Sequence, residues 1–143
     1  MRVFDLVILA SVVTGVVMAL SSSALPDPSP QAIDALSQRN YELSLLAQEQ
    51  YAVPMERRPK IRIAELDAPD ALADREKNTI TIDQVIVVRD LDYALEVLMP
   101  HEFAHHVRCH LAGDVGYEPH DILWATISNG LGGPDTDTKW RRR

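Results

Sequence analysis

The chain has little cysteine and few clustered basic residues. Cys109 is the one cysteine among 143 residues, so an internal disulfide is excluded. Lys and Arg number 14 against 21 Asp and Glu, which gives a formal net charge of -7. The only basic runs are Arg57-Arg58-Pro59-Lys60 and Arg141-Arg142-Arg143. Because nucleic-acid binding depends on clustered basic side chains, this composition predicts no nucleic-acid partner.

The longest apolar run is shorter than a typical membrane span. It covers residues 6–20, which is 15 residues, whereas about 20 cross a bilayer. Small residues follow it up to Ala24. We therefore expect residues 1–24 to be a signal peptide cleaved after Ala24, and the protein to be secreted or periplasmic. The alternative is an uncleaved anchor over residues 3–20, which would be the only contact with a membrane.

All five histidines lie between residues 101 and 120, and the first two flank a glutamate in His101-Glu102-Phe103-Ala104-His105. Residues four apart on an α-helix lie nearly above one another, with a rise of about 6 Å. Two imidazoles at this spacing can bind one zinc ion, which takes histidine nitrogen at about 2.0 to 2.1 Å. This HExxH pattern predicts a zinc-dependent hydrolase with Glu102 as general base towards metal-activated water. The alternative is a pair of ordinary helix histidines.

Three further residues near the motif are poor candidates for the third ligand. His106 and His110 are rotated from His105 by about 100° and 140° on a continuing helix. Cys109 shares the face of the pair but lies about 12 Å along the axis from His101. An ion bound by His101 and His105 is therefore out of reach of His106, His110 and Cys109. The third ligand must come from further downstream.

We expect the third ligand in a second short helix that follows a turn. Gly113 and Gly116 supply a helix stop and a change of direction. Pro119 suits a first helical position, which places His120 in the first turn, facing the pair. His120 is therefore the predicted third ligand. The alternatives are carboxylates, which zinc also accepts: Glu118 first, then Asp121 or Asp114.

These residues resemble the zincin metallopeptidases, which share HExxH. The segment Pro119-His120-Asp121-Ile122-Leu123-Trp124 is similar to the SprT-like branch, in which the third histidine follows a glycine-bearing turn and precedes an aromatic residue by four positions. The resemblance covers roughly residues 61–127. It implies that His101, His105 and His120 bind zinc, that Glu102 is the catalytic base and that Trp124 is a packing aromatic. Tyr117, beside the third ligand, is a further candidate for stabilising the oxyanion.

The resemblance also implies the fold, and the proline-rich and glycine-rich segments indicate the organisation of the chain. We expect an α+β, minimal zincin-like domain over residues 31–129, in which a small, mostly antiparallel sheet packs on the HExxH helix. A proline-rich linker over residues 25–30 precedes it, and a flexible tail over residues 130–143 follows it. Ser29 can cap a scaffold helix that begins at Pro30 and ends near Tyr51.

Two strands are expected before the motif. Alternating isoleucines indicate strands over Lys60–Leu66 and Asn78–Asp83, separated by a polar surface loop over Asp67–Lys77. By resemblance, Asn78–Asp83 is the edge strand that holds an extended substrate above the metal; the alternative is an ordinary strand of the sheet. A peptide or protein substrate could then pair with this edge through its backbone.

Pro100 stands directly before the first predicted ligand. An interior proline removes a backbone hydrogen bond and costs about 3 kcal/mol. Either a helix that begins near Asp92 kinks at Pro100, or the ligand-bearing helix begins near Met99 with Pro100 in its first turn. Either Asp90 or Asp92 can cap the preceding helix.

The function predicted from the sequence is that of an exported zinc metalloendopeptidase. The competing hypothesis is a non-catalytic module of zincin-like fold, stabilised by zinc or tethered to a membrane, that binds a partner. A closed site with four protein ligands would favour the second hypothesis, since catalytic zinc keeps one coordination position open.

Overall fold

The computed structural model of the chain describes residues 25–114 and 116–134. The predictions made for residues 1–24 and for the end of the tail lie outside these residues. The described chain is α+β, and none of its helices is both long and apolar enough to cross a membrane. Its elements are α1 (Pro30–Tyr51), a 3-10 turn (Met55–Arg57), β1 (Lys60–Ala64), β2 (Ala71–Asp74), β3 (Thr79–Asp83), α2 (Gln84–Arg89), α3 (Leu91–Tyr93), a π-helical turn (Ala94–Leu98), α4 (Met99–Ala112) and α5 (Ile122–Gly130).

Helix α1 has the predicted bounds and forms one wall of the core. The Ser29 hydroxyl accepts a hydrogen bond from the Ala32 N–H at 3.1 Å, with Pro30 in the first turn. The cap satisfies one of the amides that a helix start leaves without a partner. The buried face has members three or four residues apart: Ala32, Leu36, Asn40, Leu43, Ser44 and Ala47.

The sheet is mixed and has the strand order β1-β3-β2. β1 pairs with β3 in parallel, so that Ile61 lies opposite Ile80, and β2 pairs with β3 in antiparallel fashion. Both predicted strands are confirmed with slightly shorter bounds. The prediction of a mostly antiparallel sheet is wrong, because β2 pairs with the outer side of β3 and leaves β1 and β3 side by side and parallel. Ile80 and Ile82 of the central strand are fully buried.

The prediction of a surface loop over residues 67–77 is wrong where β2 lies. Alanine and aspartate have low strand propensity, so pairing with β3 and burial of Ala71 form this strand, and no apolar alternation announces it. β2 is also an edge strand and contacts α4. The prediction that Asn78–Asp83 forms the edge is therefore wrong, since β3 occupies the centre of the sheet.

Pro100 is accommodated by the π-helical turn before α4. α4 begins at Met99 as a direct continuation of the π-helical turn, and not as the new helix start that one alternative predicts; Met99 donates its N–H to the Ala94 carbonyl, five residues back. In the same pattern residue 100 would donate to the Leu95 carbonyl, but proline has no N–H. Arg39 of α1 donates to that carbonyl from Nε at 3.2 Å instead. The helix thus continues through the proline into the HExxH motif.

α4 lies at the centre of the fold. It contacts α1, α5 and the β2 and β3 strands. Met99, Ala104 and Val107 of α4 are fully buried or nearly so. Leu131, just after α5, is also fully buried, so the packed part of the chain extends beyond the predicted domain end at residue 129.

Candidate metal centre

Three imidazole rings converge between α4 and the start of α5. The His101 and His105 rings, four residues apart on α4, have centroids 5.1 Å apart. The His120 ring lies 4.8 Å from the first of them and 5.1 Å from the second. One nitrogen from each ring can be chosen so that all three lie within 4.8 Å of one another. This cluster could hold a metal ion.

The backbone carries His120 to the cluster in a way that differs from the prediction. α5 begins at Ile122 with Asp121 as its N-cap, so Pro119 is not its first residue. His120 therefore lies in the turn before the helix and has a left-handed φ of 64°. Residues other than glycine adopt this conformation only where the surroundings hold it. The backbone of this turn, and not a position in the first turn of α5, therefore directs the His120 ring towards His101 and His105.

Trp124 packs beneath all three rings. Its ring centroid lies 4.7 Å from that of His101, 5.4 Å from that of His105 and 4.4 Å from that of His120. The indole is 2% exposed and donates from Nε1 to the His101 carbonyl at 3.3 Å. Since a buried indole needs a partner for its N–H, this bond fixes the ring and thereby the surface on which the imidazoles rest.

Tyr117 contacts the second ring of the cluster. Its hydroxyl lies 2.6 Å from Nδ1 of His105, so Nε2 of that imidazole is the nitrogen left for a metal ion. Histidines that bind metals commonly donate their other ring N–H to an oxygen, which fixes the ring orientation. The contact with His105 places Tyr117 beside the cluster as an orienting group, and its role towards an oxyanion stays a prediction.

Glu102 lies between the cluster and the sheet edge. It is 7% exposed, and one carboxylate oxygen lies 3.8 Å from Nε2 of His101. The backbone N–H of Ala73 in β2 donates to this carboxylate. Burial raises the pKa of Glu102 to about 7, although the Ala73 hydrogen bond opposes this. The Ala73 contact could not be predicted from local pattern, because β2 lacks a recognisable strand pattern.

The histidines of the cluster are held neutral. Burial lowers the pKa of His101 to about 4 and that of His105 to about 3, with the neighbouring histidines adding to the effect. Burial also lowers the pKa of His120. A neutral imidazole offers the lone pair that a metal ion needs. The rings are therefore in a metal-binding protonation state near neutral pH.

The residues excluded by helical geometry lie elsewhere. His106, Cys109 and His110 line a separate cavity of about 490 Å³, which none of the three clustered histidines lines. Of the carboxylates considered as third ligands, Asp121 pairs with Arg108 and Asp114 pairs with Arg75. Neither these nor Glu118 joins the histidine cluster in the described residues.

Comparison with protein-family models, with curated proteins and with solved structures gives no match. Two nitrogens that are each about 2.05 Å from one tetrahedral ion lie about 3.3 Å apart. Nε2 of His101 and Nε2 of His120 are 3.0 Å apart, and the limit of 4.8 Å for all three rings allows the same arrangement after small ring rotations. The donor set fits a divalent ion that prefers imidazole.

Two arginines that sequence reasoning did not single out surround the site. Arg108 of α4 pairs with Asp121 at 2.9 Å. Arg75, in the turn between β2 and β3, has its guanidinium carbon 4.1 Å from the centroid of the Tyr117 ring. Arg108 could have been identified from the sequence as a residue near the site, because it follows His105 by three residues and lies on the same helix face as the predicted ligands.

The metal-free protein is expected to lose stability in acid between pH 6.5 and 4. His101, His105 and His106 have their pKa lowered from 6.5 to about 4, 3 and 4, each mainly by burial. Such groups stabilise the fold above their unfolded pKa, and this stabilisation is lost as the pH falls towards the folded value. Glu102, with its pKa raised from 4.5 to about 7, acts oppositely, but three histidines outweigh one carboxyl.

Urea unfolding with chelator present, followed by tryptophan fluorescence across this range, measures the effect. We expect the unfolding midpoint to fall steadily as the pH is lowered. A midpoint that stayed constant or rose would show that these histidines are protonated in the folded protein.

Proposed function

We propose that this protein is a zinc-dependent metallopeptidase of the zincin type. The observation that carries the proposal is the meeting of three imidazoles, two from an HExxH helix and one from His120, beside the buried Glu102 carboxylate. Imidazole nitrogen suits zinc, copper, iron and nickel alike, and the HExxH spacing, which is typical of zinc hydrolases, favours zinc among them. Bound zinc supplies Lewis acidity towards a carbonyl oxygen and towards water.

The number of donors favours catalysis over a structural role. Structural zinc sites close the coordination sphere with four protein ligands, whereas catalytic sites have three. In the described residues the cluster has three members, and no fourth His, Cys, Asp or Glu joins it. This supports an open position for a water or substrate oxygen and disfavours the non-catalytic alternative.

Glu102 is the proposed general base. Its carboxylate accepts a proton from the water that attacks the scissile carbonyl carbon, and it passes that proton to the amine nitrogen as the C–N bond breaks. The Ala73 N–H holds the carboxylate in place beside His101. Tyr117 holds the His105 ring through Nδ1.

The edge of β2 that faces away from β3 is the proposed binding place of an extended substrate. The Asp83 N–H donates to the Asp70 carbonyl at 2.8 Å, so by the alternation of an antiparallel ladder Leu72 also bonds to β3. Ala71 then presents both its N–H and its C=O group to the side away from β3, and Ala73 presents its C=O group there, while its N–H is bonded to Glu102. The contact from Ala73 to Glu102 agrees with this orientation. A peptide that paired with this edge would lie next to the cluster.

Peptide hydrolysis by the purified protein tests the proposal. We expect the zinc-loaded protein to release new amino termini from unstructured peptides, to stop when zinc is chelated and to recover when zinc is returned. Cleavage that survives chelation would contradict a metal-dependent mechanism. A folded, zinc-loaded protein that cleaved no unstructured peptide would point to the non-catalytic binding module instead.

A further inference from the structure

Arg108 of α4 forms hydrogen bonds to both ends of the segment between α4 and α5, which contains His120. Its NH1 donates to the Gly113 carbonyl at 2.7 Å. Its Nε and NH2 both donate to Oδ2 of Asp121, at 3.1 and 2.9 Å. Gly113 is the residue directly after α4, and Asp121 is the residue directly before α5. One planar guanidinium with five N–H donors can make all three bonds at once.

The Asp121 carboxylate is fixed from two sides. While Oδ2 accepts from Arg108, Oδ1 accepts from the Trp124 N–H at 2.8 Å, which caps α5. The residue directly before Asp121 is His120, whose φ of 64° needs support from its surroundings. Two charge-assisted bonds on the adjacent carboxylate therefore set the backbone position from which the His120 ring reaches the pair.

The burial of Arg108 separates this contact from an ordinary surface ion pair. Arg108 is 5% exposed, and its guanidinium carbon lies 4.9 Å from the centroid of the Tyr117 ring. Exposed pairs contribute little to stability because water screens them and both side chains lose freedom, whereas a buried charge needs its partner. Arg108 also lies three residues after His105 and seven after His101, on the same helix face as both.

We propose that Arg108 is a positioning residue of the metal centre, which acts through Asp121 to hold His120 at the His101–His105 pair. The inference rests on the proposed zinc site and adds to it a determinant that binds neither metal nor substrate. Partners that orient metal ligands change metal affinity by about 10- to 100-fold when they are replaced. Arg108 should therefore set zinc affinity as well as stability.

Zinc affinity, measured by competition with a chelator, tests the proposal. We expect Arg108→Met to weaken zinc binding by about 10- to 100-fold. Arg108→Lys should lose less, since lysine keeps the charge opposite Asp121 but cannot also reach Gly113. Asp121→Asn, which can still cap α5, should resemble Arg108→Met. The visible spectrum of the Co²⁺-loaded protein should change in the same variants, because it reports on ligand number and geometry.

Two controls separate positioning from general destabilisation. Ile80→Val in the core lowers stability modestly by removing a buried methyl group, and Arg62→Met removes an exposed arginine of β1. Neither should change zinc affinity in the folded protein. In a His120→Ala background, Arg108→Met should change the affinity by less than about twofold, because the ring that it positions is gone.

The outcomes distinguish the two proposals. Wild-type protein that binds no zinc would overturn the metallopeptidase proposal and this inference with it. Wild-type protein that binds zinc, together with Arg108→Met and Asp121→Asn variants of unchanged affinity, would overturn the role of Arg108 alone. So would a loss of equal size with and without His120.

Discussion

Replacing Glu102 with glutamine is expected to lower peptide hydrolysis by about 10²- to 10⁴-fold, the contribution of a positioned general base. Zinc should stay bound, because Glu102 is not a member of the histidine cluster. Glutamine has nearly the same shape, and its carbonyl oxygen can still accept from the Ala73 N–H. The change therefore removes proton transfer and leaves the packing of a 7% exposed side chain intact.

The measurement is the turnover of one peptide by zinc-loaded wild type and variant at equal zinc occupancy. Glu118→Gln is the matched control, since it makes the same chemical change at an exposed position beside the site and should leave turnover unchanged. Retained zinc together with unchanged turnover in Glu102→Gln would remove Glu102 from the mechanism.

Replacing His120 with alanine is expected to weaken zinc binding by more than about 100-fold, beyond the usual effect of a residue that only orients a ligand. The His120 ring is the one member of the cluster that comes from outside α4. Without the His120 ring, two imidazoles remain to bind zinc, which is one fewer than the three protein ligands of a catalytic zinc site. Peptide hydrolysis should fall in parallel.

Two further variants make this test specific. Glu118→Ala should bind zinc as wild type does, because Glu118 is outside the histidine cluster. His110→Ala removes an exposed histidine of α4 that lines the separate cavity, and it should also leave the affinity unchanged. Zinc binding that survived in His120→Ala and failed in Glu118→Ala would assign the third position to the carboxylate.

The part of the site that lies on one helix could be predicted from the sequence. A spacing of four residues determines that His101 and His105 share a helix face, whatever the rest of the fold does. The same reasoning excluded His106 and His110, which line a different cavity. The glycine turn led to the prediction that His120 joins the pair, but it did not predict the left-handed backbone conformation of His120. A left-handed residue other than glycine depends on tertiary support, which spacing does not reveal.

The sheet shows where local pattern fails. β1 and β3 carry alternating isoleucines and were predicted with nearly correct bounds. β2 has the sequence Ala-Leu-Ala-Asp, in which hydrogen bonding to β3 decides the conformation against a low intrinsic preference. Because β2 was missed, the predictions of a mostly antiparallel sheet and of Asn78–Asp83 as its edge strand were both wrong. Long-range strand pairing of this kind cannot be recognised from a sequence of four residues.

Pro100 gives a similar lesson within a helix. The sequence shows that one hydrogen bond must be lost, and it predicts either a kink or a new helix start. A π-helical turn, with Arg39 supplying a donor to the Leu95 carbonyl, was a third solution. It depends on a side chain from α1, 56 residues away in sequence.

X-ray absorption at the zinc edge of the purified, zinc-loaded protein tests the central claim most directly. We predict one zinc ion per chain with three imidazole nitrogens at about 2.0 to 2.1 Å and one further light ligand. The His120→Ala protein should show two imidazoles. A wild-type spectrum with fewer than three imidazoles, or a folded protein that retains no zinc, would contradict the account.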